Sequence, residues 1–158
     1  MLTVRLKRKF DVVMSMGSAL MYALSNAEVN AAFKTFAAHS RKGTLLIIDI
    51  NNAASYLGGE NFKPTAKFKV HIPEFSAEAR IAYSFNRRKQ FLVRKRLWKI
   101  KGRKNVEDFC EYRLLFPAEL EQHLNQHGFE VRGMFDNKEL RATDLTGSRL
   151  YVASIFKG

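Results

Sequence analysis

The sequence has little cysteine, little proline and no long hydrophobic run. Its 158 residues contain one cysteine, Cys110, and three prolines. A single cysteine excludes a disulfide-stapled fold and a multi-cysteine zinc site, and it favours a reducing, cytoplasmic setting. No stretch approaches the roughly 18 apolar residues of a membrane span. The first nine residues also lack the apolar core of a secretory signal.

The composition predicts one ordinary folded domain with an uneven charge. Apolar residues make up 46% of the chain and aromatic residues 12%, which is enough to bury a core and to exclude disorder. The formal charge is +12, and residues 61–110 carry fourteen of the 27 basic residues but four of the 15 acidic ones. Three interpretations of this basic segment are open. In order of preference they are a solvated sheet face, a surface that steers an acidic small substrate, and a nucleic-acid site.

The first 60 residues have the pattern of a βαβ unit. Residues 10–16 are a short apolar run, typical of a strand that is buried on both faces. Ser25 and Glu28 have the spacing of a capping box, which predicts a helix that begins there and has Gly43 in the left-handed position after its end. Residues 43–50 form a second apolar strand, so the two strands are expected to be parallel.

The middle third predicts an antiparallel insertion, and the last third returns to α/β. From residue 67 to residue 116, apolar and polar residues alternate in segments separated by short turns, as in a meander with one polar face. Pro117 suits the first position of a helix that Gly128 ends, and residues 129–135 and 149–156 are strand candidates. We therefore predict a βαβ segment over 1–60, a basic β insertion acting as a substrate or lid subdomain over 61–116, and a helix with two strands over 117–158.

Several residue groups, taken in order, resemble one family. They are Phe-Asp-Val-Val at 10–13, the capped helix, Gly-Thr-Leu-Leu-Ile-Ile-Asp-Ile at 43–50, Tyr-Arg-Leu-Leu-Phe at 112–116, Gly-Phe-Glu-Val at 128–131 and Arg-Leu-Tyr-Val-Ala at 149–153. Together they resemble the C-terminal portion of a class I S-adenosylmethionine-dependent methyltransferase of the small-molecule branch, which includes the aminosugar N-methyltransferases. The resemblance implies an α/β fold: a Rossmann-like half-sheet made of the family's strands four to seven, with an antiparallel β insertion.

The sequence lacks the main cofactor-binding motif of this family. The family binds its cofactor through a glycine-rich turn after its first strand and an acidic residue after its second, and no G-x-G-x-x-G pattern occurs here. On the family's plan the chain starts just after the third strand, which predicts a truncated enzyme. The strand over 10–16 would then lack a neighbour and form an open edge. We expect self-association, or pairing with a missing N-terminal half.

The resemblance implies S-adenosyl-L-methionine as the cofactor and assigns part of its site. The candidate cofactor-binding residues are Met1, Ser15, Met16, Gly17, Ser18 and Tyr22. The family contacts its cofactor with the residues that follow its fourth strand, here residues 15–18, and Met1 stands where the family places residues beside the adenine. Tyr22 either covers the cofactor or packs in the core. For residues 15–18, a strand end followed by an ordinary turn is the alternative interpretation.

A second group of polar residues follows the second strand. The candidate substrate-binding residues are Asp49, Asn51, Asn52 and Tyr56. Because open α/β sheets bind ligands at the carboxyl ends of their strands, these side chains are expected to orient an amine or a hydroxyl, with ordinary turn chemistry as the alternative. Gly58 and Gly59 would form a hinge or a turn. No catalytic residue and no metal site is identified, since His123 and His127 lack a third ligand and are expected on a helix surface.

The resulting prediction is an enzyme that transfers a methyl group from S-adenosylmethionine to an N or O atom of a small-molecule substrate. Two other functions stay open. The absent glycine-rich motif would also suit a non-catalytic remnant or a partner-binding domain. The basic segment over 61–110 would suit an RNA-binding or RNA-modifying protein. No membrane partner is predicted.

Overall fold

A computed structural model describes residues 2–57 and 62–158 of the chain. The described residues form eight strands and three α-helices, in the order β1 (Phe10–Ser15), α1 (Asn26–Ala38), β2 (Ser40–Asn51), α2 (Ala53–Leu57), β3 (Thr65–Ile72), β4 (Phe75–Asn86), β5 (Phe91–Ile100), β6 (Val106–Arg113), α3 (Pro117–Gln126), β7 (Phe129–Phe135) and β8 (Arg149–Phe156). A single 3₁₀ turn at Ala19–Tyr22 precedes α1. The 3₁₀ turn and α2 were not predicted from the sequence.

One sheet is mixed and has the strand order β1-β2-β8-β7. Strands β1 and β2 are parallel, as the βαβ pattern predicts, whereas β8 is antiparallel to both β2 and β7. Alternate residues of β2 and β8 are fully buried, and they share the core with apolar residues of α1 and α3. We call this unit the mixed sheet. Its parallel pair brings the ends of β1 and β2 to the same edge.

Helix α1 begins where the capping box predicts and ends earlier than predicted. The Ser25 hydroxyl accepts a hydrogen bond from the backbone of Glu28 at 3.2 Å, and the Glu28 carboxylate accepts one from the backbone of Ser25 at 2.8 Å. The prediction that Gly43 follows the helix end is wrong, because the helix ends at Ala38 and Gly43 lies inside β2 with φ +88°. Pairing with β1 begins already at Ser40, and this tertiary contact stops the helix.

Strand β1 lies at the edge of the mixed sheet, and no strand of the described chain pairs with its outer side. The predicted open edge is therefore confirmed within residues 2–57 and 62–158. The prediction of burial on both faces is wrong, since Val12 is 48% exposed and Met14 is 56% exposed. A strand is buried on both faces only when a layer covers each face, and in β1 only Val13 and Ser15 are turned toward the core.

The insertion forms a second, purely antiparallel sheet, which we call the meander. Its strand order is β3-β4-β5-β6, as the alternating pattern predicts, and its strands all lie within residues 61–116. Strand β6 begins at Val106 and ends at Arg113, three residues before the predicted range of 109–116. One face of the meander packs toward the mixed sheet through Leu92 and Tyr112, and the other face is turned outward.

Helix α3 packs against α1 through its histidines. The rings of His123 and His127 stack on the buried ring of Phe33, each with a centroid distance of 5.6 Å. The prediction that both histidines lie on an ordinary helix surface is therefore wrong. The apolar stripe of α1 needs a cover, and flat imidazole rings supply it. In the described ranges, no helix has the length and apolar character to cross a membrane.

Candidate functional site

A cleft of about 340 Å³ lies between the mixed sheet and the meander, beside the carboxyl ends of β1 and β2. The side of the mixed sheet contributes small and polar residues and two tyrosines, and the meander contributes large residues. Its lining residues are Gly17, Ser18, Tyr22, Asn51, Tyr56, Tyr83, Leu92, Arg94 and Tyr112. We call this the cleft. It joins candidates from both predicted groups, the residues after the first strand and those after the second.

A strained turn follows β1 at the mouth of the cleft. Gly17 and Ser18 both have φ +64°, and Ser18 is a non-glycine residue in the left-handed region. This conformation is uncommon for residues with a Cβ and is found mostly where the surrounding structure fixes it. Here the backbone N–H of Gly17 donates to a carboxylate oxygen of Asp49 at 3.0 Å, and the N–H of Ser18 donates to the Asp49 carbonyl at 3.0 Å. Strand β2 therefore holds the turn.

Arg149, at the start of β8, connects the two predicted groups. One terminal nitrogen of its guanidinium donates to Asn51 Oδ1 at 2.6 Å and to the Ser18 hydroxyl at 3.0 Å, and the other pairs with the buried carboxylate of Asp49. We call Ser18, Asp49, Asn51 and Arg149 the polar cluster. Because both Asp49 oxygens have partners within the protein, this carboxylate holds the site together. Arg149 was not predicted from the sequence.

Asn51 and Asn52 have different surroundings although they are adjacent. Asn51 uses its side-chain oxygen within the polar cluster, and its side-chain amide makes no hydrogen bond to the described residues. Asn52 is fully buried, and its amide donates to the carbonyls of Leu145 and Gly147 at 2.6 Å and 2.8 Å. Asn51 thus presents donors to the cleft, whereas Asn52 fixes the segment that leads into β8.

Tyrosines form much of the remaining wall. The ring of Tyr22 is 55% exposed and meets the buried ring of Tyr112 edge-on at 5.1 Å. Burial raises the pKa of Tyr112 well above its ordinary value, and the adjacent Tyr22 raises it further. Burial also raises the pKa of Tyr56, with a further contribution from Tyr83 that the Arg149 charge partly offsets. The phenols of Tyr112 and Tyr56 therefore stay protonated at neutral pH and can donate hydrogen bonds.

The other predicted residues lie around this cleft or outside the described structure. Ser15 is buried at the end of β1, and Met16 is partly exposed in the turn that follows it. Met1 lies outside the described residues, as does the predicted hinge at Gly58 and Gly59. In the described part of the chain, no group of three His, Cys, Asp or Glu side chains could hold a metal ion.

Four lining residues of the meander were missed from the sequence: Tyr83, Leu92, Arg94 and Tyr112. Period-two alternation placed them on strands, and the pairing of Tyr83 with Arg94 and of Leu92 with Tyr112 puts them on one face of the sheet. The alternation could have grouped them on that face. It could not tell which end of the meander covers the ends of β1 and β2.

Comparisons with known proteins give matches among solved structures alone. No protein-family model and no curated protein matches the chain. A S-adenosylmethionine-dependent methyltransferase from Clostridium acetobutylicum has a TM-score of 0.81 at 14% identity over 99% of this chain and 62% of that one. The CcbJ methyltransferase from Streptomyces caelestis has a TM-score of 0.79 at 16% identity over 99% and 61%. CalS10, an amino pentose methyltransferase from Micromonospora echinaspora involved in calicheamicin biosynthesis, has a TM-score of 0.75 at 17% identity over 98% and 61%.

These matches establish the fold of the chain. The Rossmann-like methyltransferase fold with an antiparallel insertion, which the sequence resemblance implied, is confirmed over almost all of the chain. The chain spans about 61% of the length of the matched methyltransferases. At identities of 14% to 17% the likeness concerns the fold, so activity and substrate have to be argued from the cleft.

Proposed function

We propose that the protein is a cytoplasmic, S-adenosylmethionine-dependent methyltransferase that acts on an N or O atom of a small molecule. The observation that carries this proposal is the cleft at the carboxyl ends of two parallel strands, which is where α/β sheets bind ligands. Its support is the fold, which is shared with methyltransferases over nearly the whole chain, one of them an amino pentose methyltransferase. The single cysteine supports the cytoplasmic location.

The residues after β1 fit one wall of a site for this cofactor. At Gly17 a Cβ would meet no atom within 4 Å, so the backbone there is open to a close neighbour. The half-exposed ring of Tyr22 offers a face for a planar group, and the Ser18 hydroxyl offers a hydrogen bond. We assign Gly17, Ser18 and Tyr22 to this wall, beside Ser15 and Met16. When bound, S-adenosylmethionine supplies an activated methyl group, so the protein has mainly to align the acceptor and exclude water.

We assign the acceptor side of the cleft to Asn51 and Tyr56. Both can donate hydrogen bonds, Asn51 through its amide and Tyr56 through a phenol that stays protonated. Asp49 anchors the polar cluster and is committed to Arg149, so it does not serve as a base. An amine acceptor would therefore have to enter in its neutral form, with its lone pair available. Asn52 then acts as a positioning residue that holds the segment before β8.

Binding of S-adenosylhomocysteine to the full chain, measured by isothermal titration calorimetry, tests the cofactor assignment. We expect saturable binding, and we expect Tyr22→Ala to weaken it by about tenfold, because removal of a stacking ring costs about 1–3 kcal/mol. Phe109→Ala is the matched control, since that ring is 59% exposed on the meander and lies outside the cleft. If the chain binds no S-adenosylhomocysteine, the non-catalytic remnant or partner-binding domain becomes the better interpretation.

We further propose that the open edge of β1 pairs with a strand from additional polypeptide, which would extend the mixed sheet beyond β1. Two observations support this. The apolar side chains of Val12 and Met14 are exposed, and the chain spans only about 61% of the length of the matched methyltransferases. Unpaired strand edges with apolar side chains are sites of strand addition. The partner strand would belong to the N-terminal half of the predicted architecture.

Light scattering on the isolated chain tests the open edge. Without its partner strand, the chain should associate as its concentration rises, and Met14→Lys should reduce the association. Val106→Lys, at an exposed apolar position of the meander, is the control and should have no such effect. A stable monomer with one cooperative unfolding transition would contradict the pairing proposal.

An RNA-binding role is the second candidate, because basic side chains extend over the outer face of the meander. Lys69, Lys95 and Lys99 are exposed there, but Glu78 pairs with both Lys69 and Lys99, and Glu107 pairs with Leu97, the residue of β5 between Lys95 and Lys99 on this face. This interleaving lowers the field that a phosphate backbone would meet. Retention of RNA binding at 200 mM salt would support this second function, and its loss would favour the small-molecule enzyme.

A further inference from the structure

Arg94 is a cation of the cleft whose guanidinium makes no hydrogen bond to the side chains or backbone of the described residues. Its side chain is 21% exposed, and its guanidinium lies 5.3 Å from the centre of the Tyr112 ring. Within residues 2–57 and 62–158, the buried Nε of Arg94 has no hydrogen-bond partner. The one ion-pair contact that this guanidinium makes to those residues, with Asp108 Oδ1 at 3.7 Å, is longer than a hydrogen bond.

Asp108 is already committed to other groups. Its Oδ2 accepts hydrogen bonds from Arg96 Nε at 2.7 Å and from Trp98 Nε1 at 3.0 Å. Arg96 in turn stacks on the Trp98 ring at 4.8 Å. The single negative charge of Asp108 is therefore shared by two guanidinium groups, and Arg94 has the weaker part of it.

Among residues 2–57 and 62–158, no carboxylate of the opposite side neutralises Arg94 either. Asp49, two residues before the lining residue Asn51 on β2, is paired with Arg149. The other side chains around Arg94 in the cleft are neutral: Tyr22, Asn51, Tyr56, Tyr83, Leu92 and Tyr112. A largely buried guanidinium without hydrogen bonds is costly in free energy unless an anion completes its surroundings.

We propose that Arg94 binds an oxyanion, a phosphate or a carboxylate, carried by the molecule that enters the cleft. The planar guanidinium matches the paired oxygens of either group, and it lies over the Tyr112 ring, 5.3 Å from its centre. This inference rests on the proposed function and deepens it, because it makes the methyl acceptor an anionic small molecule. Arg94 is then a specificity-determining residue on the meander, whereas the cofactor wall belongs to the mixed sheet.

Arginine side-chain NMR on the ¹⁵N-labelled full chain tests the proposal directly. Inorganic phosphate and acetate are each titrated at constant ionic strength, with sodium chloride as the balancing salt. We expect the Nε–H resonance of Arg94 to shift and saturate with at least one of the two anions. Saturation by phosphate alone or by acetate alone identifies the group that the site takes. If neither anion produces a saturating shift at Arg94, the proposal is overturned.

Thermal unfolding at micromolar concentration provides a second measurement that self-association disturbs less. Phosphate or acetate should raise the unfolding temperature of the wild-type chain above that in chloride, because a ligand of the native state stabilises it. Arg94→Gln should abolish this rise, and Arg94→Lys should keep only part of it. Lys95→Gln removes the same charge from the neighbouring position on the outer face and should keep the full rise.

The two proposals fail separately in these measurements. The anion titrations need no cofactor, so a chain that binds phosphate at Arg94 but not S-adenosylhomocysteine would overturn the methyltransferase proposal alone. A chain that binds S-adenosylhomocysteine and shows an equal thermal response in Arg94→Gln and the wild type would overturn the oxyanion site alone.

Discussion

The mixed sheet and the meander each have four strands, but they use their side chains differently. The mixed sheet is covered on one face by α1 and α3, and Leu46, Ile48 and Val152 are buried there almost completely. The meander is covered mainly at the end that meets the cleft, and most of its outer face is exposed. The comparison indicates that the stability of the protein resides in the mixed sheet, and that the meander is free to carry charge and recognition.

The largest contrast is expected from one phenylalanine in each region. Phe33→Ala on α1 should lower the free energy of unfolding by about 4 kcal/mol, because it empties a buried site that packs against Phe36 and both histidines of α3. Phe109→Ala on the meander should change it by less than about 0.5 kcal/mol, since this side chain is mostly exposed. Urea denaturation measures both. Equal losses of unfolding free energy in the two variants would refute the conclusion that the mixed sheet carries the stability of the protein.

A smaller effect is expected from the ion pair of the polar cluster. Asp49→Ala should lower the free energy of unfolding by about 2 kcal/mol. The change leaves Arg149 partly buried without its carboxylate, and it removes the acceptor of the Gly17 N–H in the turn after β1. The exposed pair of Asp11 and Arg41 is the control, and Asp11→Ala should have no measurable effect. The same denaturation curves test this, and a control that destabilises as much as Asp49→Ala would contradict it.

The capping box of α1 should contribute about 1 kcal/mol to the free energy of unfolding. Ser25→Ala removes the hydroxyl that accepts from the Glu28 backbone and leaves that N–H without its partner at the start of the helix. Ser84→Ala, at an exposed position of β4, removes an equivalent hydroxyl outside any cap and should be neutral. Circular dichroism during thermal unfolding reports both changes. A neutral Ser25→Ala would show that tertiary packing alone fixes the helix start.

The smallest effect is a dependence of stability on pH that comes from His123. Burial lowers the pKa of His123 below its ordinary value, and His127 and Arg113 lower it further while Glu119 opposes them. The native state therefore binds fewer protons than the unfolded state near pH 6.5. The stabilising contribution is complete above about pH 6.5 and is lost as the pH falls through the lower native pKa.

Denaturant midpoints between pH 7.5 and 5 test this dependence. His123→Phe keeps a ring on Phe33 and removes the titration, so it should show a smaller decrease toward low pH than the wild type. His71→Phe, on the exposed outer face of the meander, is the control and should keep the wild-type decrease. An unchanged pH dependence in His123→Phe would assign the decrease to other groups.

The sequence predicted those parts of the fold that local patterns encode. Period-two alternation gave the meander, and Pro117 gave the start of α3, because these signals act between near neighbours. It misplaced the end of α1, where the backbone N–H of Phe10 donates to the His39 carbonyl at 2.9 Å and ends the helix from outside it. That contact joins residues 29 positions apart, and no local pattern records it.

The candidate site was predictable only in part for the same reason. Asp49 and Asn51 follow an apolar strand, so their position at the rim of the sheet could be read locally. Their partner Arg149 lies about a hundred residues later, at the start of the last strand. Arg94 lies in a segment with many basic residues, and the sequence does not distinguish the one that faces the cleft from those that face solvent. Their roles depend on which strands become neighbours.

The sequence by itself determined the two kinds of sheet, the capped helix and the likeness to a methyltransferase fold, because periodicity, capping and turn chemistry act over a few residues. The tertiary structure alone decided that one face of β1 stays exposed at Val12 and Met14, that Arg149 joins the ends of β1 and β2, and that Arg94 faces the cleft. These features arise from strand order and from the packing of two sheets, and such long-range contacts are set by the whole chain at once.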